Sequence, residues 1–176
     1  MSEPVDLAER ASLRADELED ANDIDGAIRA MTEAINLNPE HPKYWALRGR
    51  LFHKQKQWLK AIRDFDKALK LKPDVPTTLY FRARAREMLD DLDGGLADFE
   101  RCIALEPTAA DAYEHIGSIH YYRGELQPAL EAYRKAMELD PDSLMGLAEI
   151  HIPEIEQKLK ERRTESCEPA HAPKGG

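Results

Sequence analysis

The sequence predicts an all-α chain built from four stacked copies of one unit. Three observations predict it. Prolines recur 34 residues apart at Pro39, Pro73, Pro107 and Pro141. Packing columns keep register with them: Met31, Phe65, Phe99 and Tyr133, then Ala27, Ala61, Gly95 and Ala129, then Ala34, Ala68, Cys102 and Ala136, then Leu37, Leu71, Leu105 and Leu139. Charged residues make up 34% and aromatics 7%, as suits thin helical layers with much surface. A fixed period of this length marks a unit that buries its apolar face only against its neighbours.

Each unit reads as a helix, a short turn and a second helix. Small residues (Gly49, Gly117, Ala61, Ala129) let the two helices approach, and large ones (Trp45, Phe65, Tyr133) fill the space between them. The turns carry Asn22-Asp23, Gln55-Lys56-Gln57, Asp90-Asp91 and Arg123-Gly124. An apolar residue follows each turn (Ile24, Trp58, Leu92, Leu126) and starts the second helix's buried stripe. The unit's proline ends that helix, because it lacks an N–H and its ring clashes with the preceding turn.

The second unit reads Trp45-x2-Arg48-Gly49-x2-Phe52, Ala61-x3-Phe65, Pro73, and the fourth reads Tyr113-x2-Ile116-Gly117-x2-His120, Ala129-x3-Tyr133, Pro141. This resembles the tetratricopeptide repeat over residues 8–143. The resemblance implies a right-handed superhelical solenoid of four helix pairs: 8–41, 42–75, 76–109 and 110–143. A lead-in over 1–7 has Ser2 and Pro4 as a helix start. A capping helix over 144–163, begun by Asp142-Ser143, carries Leu144, Leu147, Ile150, Ile155 and Leu159 inward, with Pro153 kinking it or starting a second helix. A polar, disordered tail is expected over 164–176. The first unit departs from the pattern with Ala11 and Ala15. The third has Arg86 at an aromatic position, where it either reaches solvent or pairs with an acid of a neighbouring repeat.

No reaction centre is legible. His115 and His120 lie five apart and diverge around a helix, so they make a poor chelating pair, and His120 reads as a core histidine. Asp90-Asp91-x-Asp93 reads as a solvated turn, since a calcium loop's closing glutamate is missing. No nucleophile–base pair, cofactor motif or metal spacing stands out, so the expectation is a non-enzyme without cofactor. No apolar run suits a signal peptide or membrane span. Cys102 falls in a small-residue column and Cys167 in the tail; with no disulfide framework, a cytoplasmic location is expected.

Charge is uneven. The second unit holds ten Lys or Arg against three acids, within a chain of net charge −9. In the resembling family, the first helices line a concave groove. The resemblance then implies groove residues Lys43, Arg50, His53, Lys54, Tyr80, Arg84, Ser118, Tyr121 and Tyr122, with acids such as Asp16 and Glu19 at one end. The expected function is protein–protein interaction, with an acidic or mixed-charge segment of another protein over a basic centre. The alternative is an assembler whose acidic first repeat meets the basic second repeat of another copy, giving a homo-oligomer. Nucleic acid is disfavoured by the acidic flanks. The carboxylate clamp by which some family members hold chaperone tails is absent: its positions fall on Ser12, Asp16, Leu47, Thr77 and Phe81 in one register. In the other they fall on Ala46, Arg50, Phe81, Asp111 and His115.

Overall fold

A glycine under an aromatic ring sets the spacing of the helix pairs. A Cβ on Gly49 would lie 2.6 Å from Phe65 Cε1, and one on Gly117 would lie 2.8 Å from Tyr133 Cδ1. Both rings are fully buried, so neither can yield cheaply to an added methyl. The same two columns hold Ala15 and Met31 in the first unit and Ala83 and Phe99 in the third, all buried.

The computed structural model describes residues 4–141 and 146–166. Among them it is all helix: α1 (Pro4–Asp20), α2 (Ile24–Leu37), α3 (Pro42–Lys54), α4 (Trp58–Leu71), α5 (Pro76–Glu87), α6 (Leu92–Leu105), α7 (Ala110–Tyr122), α8 (Leu126–Leu139) and α9 (Leu147–Ser166). The chain divides into two units, residues 1–107 with α1–α6 and residues 108–176 with α7–α9. In the first, successive helices pack as antiparallel neighbours, with Ala8, Ala11, Met31 and Tyr44 in one cluster and Ala61, Phe65 and Ala85 in another. In the second, α9 lies against α8 and α7 around Leu126, Leu130, Tyr133 and Ile155.

The turns are the same device four times. Asn22, Lys56, Asp90 and Gly124 all have φ between 58° and 73°. The N–H of each donates three residues back, and the next residue's N–H donates five back, as in Lys56 to His53 and Gln57 to Phe52. These paired bonds satisfy the last carbonyls of the first helix. Gly124 suits the left-handed backbone without strain, Asn22 and Asp90 are residue types that tolerate it, and Lys56 is the strained position. At the far end of α2, α4, α6 and α8, one further N–H (Asn38, Lys72, Glu106, Asp140) closes the last turn before the repeated proline.

Two arginines stitch the layers. Arg48 forks onto Asp64 with Nε–Oδ2 at 2.7 Å and Nη2–Oδ1 at 2.9 Å, and donates to Thr32 of α2. One period later, Arg82 forks onto Asp98 at 2.8 and 2.6 Å and reaches Asp66 of α4. Asp64 and Asp98 are buried. Arg86 takes neither of its two expected courses. It bonds Asp98 at 2.7 Å, the Gly94 carbonyl at 3.1 Å and Asp91 at 3.6 Å, all within its own helix pair. The buried carboxylate of Asp98, already in place for Arg82, holds it there.

The ends differ from the sequence reading in detail. Helix α1 begins at Pro4, inside the expected lead-in, and α9 runs to Ser166. Pro153 lies within α9 and does not divide it; Glu149, whose carbonyl loses its donor there, is exposed to water. The buried stripe of α9 is Ala148, Ile152, Ile155 and Leu159, while Ile150 is 65% exposed. That stripe follows the helical period once the helix starts at Leu147. Ser2, Asp142, Ser143, Leu144, Cys167 and the tail beyond Ser166 lie outside the described residues.

Two outcomes check the packing. Gly49→Ala should lower stability by about 1–3 kcal/mol in urea unfolding, because the methyl overlaps the Phe65 ring; an unchanged midpoint would contradict that contact. Lys56→Gly should raise stability by about 0.5–1 kcal/mol by relieving a left-handed residue, despite glycine's larger unfolded freedom. A fall of similar size would mean that the turn carries no strain.

Candidate functional site

A concavity of the first unit lies over α3, α4 and α5 and has a volume of about 580 Å³. Its composition follows from the packing. Phe65 and Ala68 are buried residues of α4 that the close approach of α3 leaves just visible at the bottom. Leu47, Val75 and Phe81 are half-buried around them, and Lys43, Arg50, Lys72 and Thr77 stand exposed above. His41, capping α3, stacks on Tyr44 at 4.2 Å, and its Nδ1 is buried with no hydrogen-bond partner. An apolar bottom under three cations suits an amphipathic anion: an apolar group below, carboxylates above.

Of the residues expected to form a groove, Lys43 and Arg50 line this cleft. Arg50 lays its guanidinium 5.5 Å from the Phe81 ring. His53 is one helical turn further along α3, edge-on to Phe81 at 5.7 Å and to Trp58 at 4.8 Å. Burial, and then the charge of Arg84, push His53 below its ordinary pKa. Arg84 lies 5.9 Å from the Tyr80 ring, and Tyr80 packs edge-on to Phe81 at 5.4 Å. These residues form one connected patch on α3 and α5.

Lys54 belongs to a different arrangement, since it pairs with Glu19 of α1. Lys67 closes in the same way on Glu40 at 3.4 Å, the neutral Gln55 donates to Asp25 at 2.7 Å, and Arg14 pairs with Glu33 inside the first repeat. Acids of the first repeat thus answer bases of the second inside the chain.

The three residues expected on the second unit also separate. Ser118 is 6% exposed; it donates to the Glu114 carbonyl and shares a 3.1 Å hydrogen bond with the Tyr133 hydroxyl. Burial pushes that tyrosine up to about 12. Tyr121 faces α9, where His151 packs 4.3 Å from its ring and the Lys158 ammonium lies 5.2 Å from it. Tyr122, beside it, is 76% exposed. His120 is half-buried and bonded to Glu125 at 2.5 Å, whereas the buried histidine of this helix is His115. The expectation for His120 failed because its ring reaches the turn, where Glu125 offers a partner.

Sequence reasoning missed Lys72, His41 and the apolar bottom. Only first-helix positions were considered, and Lys72 sits at the end of a second helix. Its place beside the repeated proline was the available signal. Among the described residues, no three His, Cys, Asp or Glu side chains gather to hold a metal, and no helix is long and apolar enough to cross a membrane.

Comparison places these features among known proteins. Tetratricopeptide repeat family models match residues 12–76 and 110–143. No curated protein matches the chain. A solved structure of MamA from Desulfovibrio magneticus RS-1 superposes with TM-score 0.80 at 21% identity, covering 90% of this chain and 89% of that one. The Arabidopsis OM64 tetratricopeptide repeat domain gives 0.66 at 23%, over 68% and 98%. The first such domain of Spaghetti (RPAP3), bound to the HSP90 peptide SRMEEVD, gives 0.62 at 24%, over 68% and 93%. At these identities the likeness is one of fold.

The depressed His53 pKa has a consequence for acid stability. Its neutral ring adds stability that is complete above its ordinary value of 6.5 and is lost as pH falls through 6.5 toward the lower folded value. The faces packed on it offer Trp58 and Phe81, both uncharged, and Arg84. Thermal melts of His53→Gln should therefore fall less steeply than the parent's between about pH 7 and 5. Parallel curves would contradict this.

Proposed function

The chain belongs to the tetratricopeptide repeat family, and we propose that it is a protein–protein interaction module whose α3–α5 cleft binds an acidic segment of another protein. The observation that carries the reading is the pairing of an apolar bottom (Leu47, Phe65, Val75, Phe81) with exposed Lys43, Arg50 and Lys72. An extended peptide with one apolar side chain between acids matches that surface in both shape and charge. The peptide bound to Spaghetti (RPAP3), SRMEEVD, is of this chemical kind. The clamp positions here hold Ser12, Asp16, Leu47, Thr77 and Phe81, so the proposed contact is with side-chain acids over Lys43, Arg50 and Lys72. Self-assembly through opposite charges is the weaker reading, because Glu19, Glu33 and Glu40 are already paired within the chain.

The test is fluorescence anisotropy with a labelled peptide of Asp and Glu around a central Leu. Lys43→Glu with Arg50→Glu should weaken binding by at least about tenfold, while Lys70→Glu, exposed on α4, should leave it unchanged. Affinity should fall as salt is raised from about 0.05 to about 0.5 M. Equal affinities for all three proteins would remove the cleft from the interaction.

A further inference from the structure

We infer that the surface between Arg50 and Arg84 receives a phosphorylated side chain of the bound segment, so that phosphorylation of the partner tightens the complex. This rests on the reading of the α3–α5 cleft as a peptide site and adds a second contact to it.

The argument is one of charge count. The half-buried guanidiniums of Arg48, Arg82 and Arg86 are answered with acids in full. Arg48 has the whole carboxylate of Asp64. Where Arg82 and Arg86 share Asp98, the further acids Asp66 and Asp91 complete the count. Arg50 and Arg84 have no such answer: among the described residues, neither is bonded to a carboxylate. Their partners are rings, Phe81 for Arg50 and Tyr80 for Arg84. Those rings touch each other, so the two guanidiniums border one aromatic platform. Two buried nitrogens beside it, Arg84 Nε and His53 Nε2, also have no hydrogen-bond partner. Burial first, and the charge of Arg84 second, hold His53 below its ordinary pKa.

A single carboxylate is a poor match for this patch. It carries one charge and two oxygens, and one guanidinium fork uses both, as Asp64 shows with Arg48. A phosphoryl group carries about −1.5 to −2 charge and three acceptor oxygens, enough for two guanidiniums at once. A peptide is favoured over a nucleic acid as its source. Arg50 also borders the apolar cleft, so a phosphorylated residue would lie next to one that fills the cleft. A polyanion would extend past the patch toward an acidic chain of net charge −9.

Two labelled peptides of Asp, Glu and one Leu, differing only by phosphoserine in place of serine, decide the matter by fluorescence anisotropy. The phosphorylated peptide should bind the parent about tenfold or more tightly than its twin. In Arg50→Gln/Arg84→Gln that ratio should fall toward one, with circular dichroism confirming the fold. Arg50→Gln alone, at an exposed position, should show part of the loss even if the double variant unfolds. A ratio near one in the parent, with both peptides bound, overturns the phosphoryl site and leaves the acidic-peptide reading standing. If neither peptide binds, both readings fall. A single-stranded oligonucleotide that displaces the phosphopeptide at equal or lower concentration overturns the assignment to a peptide.

Discussion

The fold rests on a ring seated where a side chain is nearly absent. In the second and fourth repeats, Phe65 and Tyr133 lie on Gly49 and Gly117 at distances that leave no room for a methyl. That contact fixes the separation within each pair and, with it, everything that depends on register. Arg48 forks onto Asp64 across this pair, and Arg82 forks onto Asp98 one period on, where Ala83 takes the glycine's place. A ring pressed on a helix backbone excludes water from its edges, and this makes the neighbouring ion pairs short and directional. The cleft over α3–α5 is the outer side of the same contact, since Phe65 forms part of its bottom.

Charge is organised in two tiers. The inner tier is repeated with the packing: Arg48 with Asp64, Arg82 with Asp98, one period apart. Such buried pairs add little net stability over apolar residues of the same volume, but breaking one partner leaves an uncompensated charge inside. They therefore specify which helix faces which. The outer tier joins bases of the second repeat to acids of the first, through Lys54 with Glu19 and Lys67 with Glu40, and these exposed pairs contribute little each. On and beside one cleft, Lys43, Arg50, Lys72 and Arg84 stand without a carboxylate partner among the described residues.

The fold was legible because its signal is redundant. Pro39, Pro73, Pro107 and Pro141 each repeat a constraint that one copy would state weakly, and the columns of Ala27, Ala61, Gly95 and Ala129 confirm the register. The turns were placed correctly, but their shared left-handed backbone was hidden, since Asn22, Lys56, Asp90 and Gly124 are four different residue types and Lys56 gives no sign of it. The site was legible only where it depends on helix period. Lys43 and Arg50 fell where the period puts them, whereas Ser118 and Tyr121 did not stay available. Ser118 bonds Tyr133, and Tyr121 meets α9. These are contacts between distant segments, which a one-dimensional period does not encode. Arg86 failed in the same way, as its course depends on Asp98 being occupied by Arg82.

A basic patch in an acidic protein also limits what can use it. At physiological ionic strength a charge is felt over roughly 8 Å, so the field of Arg50 and Arg84 reaches a few residues of a bound chain and no more. Beyond that distance the acids of the chain dominate and repel negative charge. A short acidic stretch gains from the patch without entering the repulsion, while a long one loses at its ends what it gains at its centre. The first repeat strengthens this limit. Its acids pair with Lys54 and Lys67 of the second repeat, while Lys43, Arg50 and Lys72 are left over the apolar bottom of the cleft. In the proposed complex, selectivity for a compact anionic segment would come as much from the charges the chain has cancelled as from those it has left exposed.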